Sequence, residues 1–437
     1  MTLKAHIIHV GNMNNKGTQA LFSSDVSVIR EIASDASISV STTDVEGVKK
    51  LGLPLTKVLP PMVDIPYDRA DQISKSLGLG RSGFSYKWLS IAALLLMPIQ
   101  TVLTLFSIML GKMGVKSPYR GEVIDRVKTS NLVISHSDEN FKETASSLPL
   151  NPYWTLTWWS MLVSRTLEIM VARSFGKPVI MFPNSVGPFR TWIGRFLSRL
   201  SLNSCEYVLI RDPISYTIVD KLGIHSPKIL TYDTALLFNE SGELTTRDFH
   251  HPVIGVSPGV YSNSLSKSEV QKYIVGHARA LDTAIEKYGF HVIFLPHYIS
   301  GFSNDDVDFS KFIIEKMKNK PQTRMIITEN VAEFKLLLDQ MDMVISSKMH
   351  PAILAATGHV PVLCVVYDHK QTGFFQRLDM MDCTLDIHDV SYERLWSKIN
   401  RAWIKRGGLR KSLSLQIPEW QRELRAVFKR VVTPYAD

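Results

Sequence analysis

At 437 residues, 45% hydrophobic and 21% charged, the chain is long enough for two domains and too apolar for wholesale disorder. Fifty Lys and Arg against 41 Asp and Glu leave a formal charge of +9, which suits anionic partners: phosphorylated metabolites, an acidic membrane face or nucleic acid. No long basic block or recurring aromatic-basic pattern occurs, so nucleic acid is not an expected partner. Cys205, Cys364 and Cys383 show no CxxC spacing, read as reduced cytosolic thiols, and exclude a cysteine-built metal site.

The opening MTLKAHIIHV lacks the features of a signal peptide and reads as a first strand at Ala5–Val10. A Gly/Asn loop, a helix from about Thr18 and a second strand at Ile38–Thr42 follow. From Trp88 to Gly111 there are 24 residues without a charge, flanked by Arg81 and Lys87 before and by Lys112, Lys116 and Arg120 after. As one helix this stretch would measure about 36 Å, enough to cross a hydrocarbon core of about 30 Å. A lone span would separate strands that the pattern assigns to one sheet. Pro98 instead favours a kink, or a hairpin that enters and leaves a membrane from one face. Basic flanks on both sides suit a cytoplasmic anionic surface, so peripheral or hairpin contact at the inner face of the cytoplasmic membrane is the expectation. The alternative is a buried helix pair in the core or in an oligomer interface.

Beyond the insertion, Asn131–Ser135, Pro178–Phe182 and Glu206–Ile210 read as strands, with helices near Thr155–Ser174 and Thr191–Leu202 between them. Asn239–Pro252 has the polarity, Gly and Pro of a linker. The alternation then restarts, with strands at Val253–Ser257, His291–Leu295, Arg324–Ile327, Asp342–Ser346 and Val360–Val366, and an amphipathic helix from about Leu413 to Val432 closes the chain. The expected fold is α/β: two Rossmann-like doubly wound domains facing a central cleft, GT-B-like, with an apolar helical insertion in the first. The domains are drawn at 1–245 (acceptor side), with the insertion at about 88–111, and 246–400 (donor side), followed by a helical tail over 401–437.

Ligands of open α/β sheets bind outside the carboxyl ends of the strands, and the distinctive polar segments follow the predicted strands. Gly11–Gly17 (GNMNNKG) matches neither the dinucleotide fingerprint nor a P-loop. Asn12, Asn15 and Gly17 there are acceptor-side candidates, on a loop that either exposes N–H groups to an anion or sugar hydroxyl or simply makes a βα turn. In SSKMHP, Ser346 and Ser347 are candidate caps and Pro351 suits a first helical turn. Lys348 and His350 then stand where a helix dipole favours an anion, with His350 able to move a proton. Arg211 in RDPIS is either a fork for a carboxylate or phosphate or the partner of a local acid, with Asp212 as cap of a helix begun by Pro213. His297, with Asn304–Asp306 behind it, and His369–Lys370 add donors that are also ordinary loop-ordering residues. No HxxxH, HExxH or carboxylate cage marks a metal site.

In this order, the segments resemble the polysaccharide pyruvyl transferase family. The matching elements are NNKGTQA, SVGPF at 185–189, RDPIS, the Asp233-Thr-Ala turn, PHYISGFSNDD and SSKMHPAILAATGHVPVLCVVYDHK. The resemblance implies a GT-B-like pair of domains and transfer of a pyruvyl group from phosphoenolpyruvate to a sugar of a cell-surface or extracellular polysaccharide, or of its lipid-linked precursor, as a ketal. The donor is a substrate, and no cofactor is expected. By the same resemblance, Lys348, His350 and Arg211 engage phosphoenolpyruvate. Two departures stand out: Lys348, where the family more often has Arg, and His136-Ser137-Asp138, where related sequences tend to carry a Gly-rich run.

The reaction requires fixed cations for a phosphate and a carboxylate, a proton delivered to the enol-ether methylene, and one removed from each attacking hydroxyl. His350 is the first candidate for acid/base work, with Asp138 or a residue of the GNMNNKG loop on the acceptor side. Ser347, His297 and Lys370 complete the donor-binding set. Two rivals remain: a GT-B nucleotide-sugar glycosyltransferase, against which the absence of any acid from Met343 to Tyr367 counts, and a catalytically silent component of a polysaccharide assembly complex.

Overall fold

The computed structural model describes residues 2–65, 69–70, 73–74, 77, 84–143, 152–239, 249, 252–260, 265–299 and 305–436. The chain divides into two compact units. The first comprises Met1–Met13, Leu21–Thr234 and Leu424–Asp437; the second comprises Asn14–Ala20 and Ala235–Glu423.

Unit 1 holds β1 (Lys4–Val10), β2 (Ser37–Thr42), β3 (Lys57–Leu59), β4 (Leu132–Ser135), β5 (Val179–Asn184), β6 (Tyr207–Ile210) and β7 (Lys228–Leu230). They form one parallel sheet in the order β3-β2-β1-β4-β5-β6-β7. Register is fixed at its centre, where Ile7 lies opposite Val40 on one side and Ile134 on the other. β4 and β5 are buried along their whole length, which is why they read as unbroken apolar runs rather than alternating ones. Helices Phe84–Lys112, Gly121–Thr129, Pro152–Ser174, Trp192–Leu202 and Pro213–Lys221 contribute Met97, Ile124, Leu162, Leu202 and Val219 to one core cluster with Val133, Val179 and Val208 of the sheet.

Unit 2 repeats the plan with β8 (Val253–Ser257), β9 (His291–Phe294), β10 (Thr323–Met325), β11 (Met343–Ser346), β12 (Val362–Val366) and β13 (Thr384–Asp386), again parallel, in the order β10-β9-β8-β11-β12-β13. The chain reverses direction between β8 and β11, a topological switch point of the kind at which doubly wound sheets bind ligands.

Several expectations need correction. The edge strands β3, β7 and β13 escaped the sequence pattern because each is only three residues long and half-exposed at most positions or bounded by turns. The apolar stretch is one continuous helix, Phe84–Lys112, with Pro98 inside it, and not a hairpin. A proline removes one backbone donor but the helix continues through it; beyond it the hydroxyls of Thr101, Thr104 and Ser107 fold back onto the carbonyls of Met97, Gln100 and Leu103 at 2.7–2.9 Å. The boundary drawn at 245/246 lies outside the described residues, as does most of the 239–252 linker; the observed division falls after Thr234. Arg406–Val432 is a single helix whose Trp420 packs on Phe374 of unit 2, while Phe428 packs 4.7 Å from Phe182 of unit 1.

Candidate functional site

The switch point of unit 2 gathers basic side chains from four chain segments. β9 runs into Pro296 and delivers His297, whose ring is 2% exposed. β11 ends at Ser346, and Lys348 is the N-cap of the helix Met349–Thr357, with His350 in its first turn. The predicted serine cap is corrected here: Ser346 Oγ accepts from Lys348 N at 3.0 Å and donates to Lys348 O at 2.7 Å, tightening the turn before the helix rather than capping it. Ser347 Oγ lies 2.5 Å from the buried Tyr273 hydroxyl, which burial pushes up to about 12. β12 leads into the helix His369–Arg377, which carries Lys370.

The fourth segment is Asn14–Ala20. Asn15 bridges Tyr298 as an isolated antiparallel pair, Ile299 N donates to Asn14 O at 3.3 Å, and Val331 N donates to Gln19 Oε1 at 2.9 Å. Docked in this way, the segment places Lys16 5.7 Å from the Phe334 ring centroid. The side chain of Lys16 is buried, and desolvation brings its pKa down to about 8 despite the opposing pull of Asp306 and Glu333. Gly17 lies under His350: a Cβ there would stand 2.1 Å from His350 Nδ1, so only glycine admits the ring.

His350 and His297 stack with centroids 6.1 Å apart and planes 22° from parallel, and His297 also meets Phe334 at 5.7 Å. Neither nitrogen of His297 has a hydrogen-bond partner among the described residues. Burial, followed by the charges of His350, Lys348, Lys16 and Lys370, holds it far below the ordinary histidine value, so it is a neutral imidazole. Lys348 Nζ lies 3.5 Å from Asp306 Oδ1 and 6.0 Å from the Tyr298 ring centroid. Burial opposes its charge, but the Asp306 carboxylate prevails and raises its pKa. Asp306 Oδ2 in turn accepts the backbone N–H groups of His297 and Tyr298 at 3.2 and 2.8 Å. Gly259 leaves room for this pair, since a Cβ there would lie 2.4 Å from Lys348 Cε. A buried carboxylate thus fixes both the lysine head and the loop that presents His297.

Of the residues singled out in the sequence, His350, Lys348, Ser347, His297, Lys370, Asn15 and Gly17 fall in unit 2, and Arg211, Asp138 and Asn12 in unit 1. Asn304 lies outside the described residues. Arg211 takes the local-acid alternative: its buried guanidinium donates from Nη1 to Asp233 at 2.8 Å and from Nε to Ser185 at 2.9 Å. Its Nη2 is buried and has no hydrogen-bond partner among the described residues. Asp138 is half-buried, with its carbonyl accepting from Ser185 N. Its neighbour His136 is sealed in a network in which Asp25 accepts from His136 Nδ1 at 2.7 Å and from Ser137 Oγ at 2.7 Å. Lys16 and Tyr273 were not singled out in the sequence, and Asp306 appeared there only as the end of the loop behind His297. Lys16 had a signal, a lone cation inside a glycine-asparagine loop at a strand end; Tyr273 lies mid-helix and had none.

Two parallel sheets with flanking helices define a GT-B-like α/β protein. A family model, polysaccharide pyruvyl transferase, matches residues 68–369, and the chain belongs to that family. The amylovoran biosynthesis protein AmsJ of Erwinia amylovora is 22% identical over 247 residues; the match takes in 51% of this chain and 57% of AmsJ, so the chain spans little more than half of that relative. Among solved structures, the UDP-GlcNAc 2-epimerase of Methanocaldococcus jannaschii aligns at a TM-score of 0.55 and 14% identity, over 92% of this chain and 93% of the epimerase. A glycosyltransferase from Rickettsia africae aligns at 0.54 and 11% identity, over 99% of both chains. These likenesses concern the fold alone.

Proposed function

We propose that the protein transfers a pyruvyl group from phosphoenolpyruvate to a sugar of an extracellular polysaccharide or its lipid-linked precursor, and that the unit 2 cluster is the donor site. The observation that carries this reading is the convergence of Lys16, Lys348, Lys370 and His350 around the neutral His297. Phosphoenolpyruvate bears a phosphate and a carboxylate in a small frame, and a desolvated group of cations answers both. Membership of a transferase family and the likeness to a protein of amylovoran biosynthesis support the sugar acceptor.

In the proposed reaction a proton adds to the methylene carbon, making C2 electrophilic. One sugar hydroxyl adds to C2 and loses its proton, the C2–O bond to phosphate breaks, and a second hydroxyl closes the ketal with loss of its own proton. Inorganic phosphate leaves. His350, seated on Gly17 and stacked on His297, is the proton carrier; His297 is held neutral and serves as a polar wall. Lys16 and Lys348 hold the anionic groups, Asp306 steadies Lys348, and Ser347 with Lys370 complete the donor set. Asp138 and Asn12 remain the acceptor-side proposals, unit 1 groups whose partner is the sugar.

Purified protein incubated with phosphoenolpyruvate and β-galactosidic or lipid-linked acceptors should release phosphate only when both substrates are present. Consumption of a nucleotide-sugar, with no phosphate release from phosphoenolpyruvate, would instead establish the glycosyltransferase rival.

A further inference from the structure

The helix Phe84–Lys112 is inverted in polarity relative to the unit that carries it. The side turned into unit 1 is small and polar. Thr104 and Ser107 are 0% exposed, Gly111 is buried, and the apolar side chains packed inward are the buried Met97 and the partly buried Ile108. Gln100 Oε1 accepts from Asp64 N at 2.9 Å, Ser107 Oγ lies 2.7 Å from Ser117 Oγ, and Lys128 Nζ donates to Gly111 O at 2.9 Å. The opposite side holds Leu95 at 71%, Val102 at 65%, and Leu96, Ile99, Leu105, Phe106 and Met109 at about half exposure. An ordinary surface helix buries its apolar stripe and shows its polar one. Contacts run from Met97 to Gly111, so the helix is held lengthwise against its own unit rather than detached from it.

A second helix of unit 1 also turns apolar side chains outward. Trp192–Leu202 packs, like Phe84–Lys112, on the helix Pro152–Ser174. It exposes Trp192, Phe196 and Leu200 at a four-residue spacing, with Arg195 and Arg199 exposed between them. Residues 84–112 and 152–202 together carry eight Lys and Arg and one acid, Glu168, which is buried. A protein partner with an apolar groove would answer the leucines. It would not explain cations interleaved with aromatics around them, the arrangement that anchors interfacial helices among anionic headgroups.

We propose that this face of unit 1, built on helices Phe84–Lys112 and Trp192–Leu202, docks on an anionic lipid bilayer, with the longer helix lying in the interface plane rather than crossing it. The site is separate from the unit 2 cluster, and its test reads no turnover, so it stands or falls independently of the donor assignment.

Flotation of the full-length protein with phosphatidylcholine vesicles, with and without phosphatidylglycerol, tests it. Binding should be at least about tenfold tighter with the anionic lipid and should weaken in high salt without vanishing. Arg195→Glu with Arg199→Glu should remove the preference for anionic lipid, and Val102→Asn with Phe106→Gln should reduce binding to either vesicle at least about tenfold. All four side chains are exposed, so thermal melting should be unchanged. A carbonate wash should release the protein; retention would mark a spanning helix and overturn the lying geometry. Failure to float at any composition, with a dimer that Val102→Asn and Phe106→Gln dissolve, would assign the face to a second copy of the chain and overturn the proposal.

Discussion

Lys16 shows how a single side chain acquires an unusual property from where its loop is docked. Buried beside Phe334, it sits at about 8 because desolvation outweighs the pull of Asp306 and Glu333. Below that pH it is an ammonium able to hold an anionic oxygen; above it the charge is lost. The account therefore predicts that kcat/KM for phosphoenolpyruvate, which reports groups of the free enzyme, falls on the alkaline side with an apparent pKa near 8. In Lys16→Arg that limb should move up by more than about one unit, because arginine does not deprotonate in this range. An unmoved limb would take Lys16 out of donor binding. His350→Ala should lower kcat by about 100-fold or more, the usual worth of a positioned acid-base group, while near-normal rates in a folded variant would remove it from the mechanism. The histidine and Lys348 were legible in the sequence because SSKMHP joins a strand end to a helix start. Asp306 was visible only as the end of a loop, and its grip on Lys348 depends on Gly259 leaving space, which no local pattern announces.

Among the elements, ten strands could be read to within two residues, nine of them because parallel strands buried on both faces are short β-branched runs bounded by turn residues; the half-exposed edge strand β10 is the exception. The edge strands β3, β7 and β13 lack that run. Helix starts were legible where chemistry marks them. Asp212 caps Pro213–Lys221 as its sequence suggested, accepting from Ser215 N at 2.8 Å while bonding Ser185 and Ser215 hydroxyls. Asp212→Ala should cost about 1–2 kcal/mol in a urea melt. A midpoint shift beyond that would show that the hydroxyl bonds dominate, and no shift would show that the cap contributes nothing. The apolar helix was legible in length and composition but not in conformation. Pro98 favoured a kink or a hairpin, whereas the hydroxyl-to-carbonyl bonds of Thr101, Thr104 and Ser107 accompany one continuous helix whose polar stripe faces inward.

For the whole molecule, two doubly wound units and the family that their sequence belongs to were readable from the order of motifs, each placed after a strand. The division of the chain was not: residues 14–20 and 424–437 each group with the unit that their sequence position would not assign them to, because contacts between distant segments decide membership. The central claim is that the cations around His297 form a seat for phosphoenolpyruvate. A thermal-shift titration of the full-length protein with phosphoenolpyruvate, run in parallel with UDP-sugars, tests it most directly, since a ligand that binds only the folded state raises the melting temperature with concentration. The account predicts a saturable rise with phosphoenolpyruvate that Lys348→Met loses, and none with UDP-sugars. A rise with UDP-sugars alone, or with neither ligand, would contradict it.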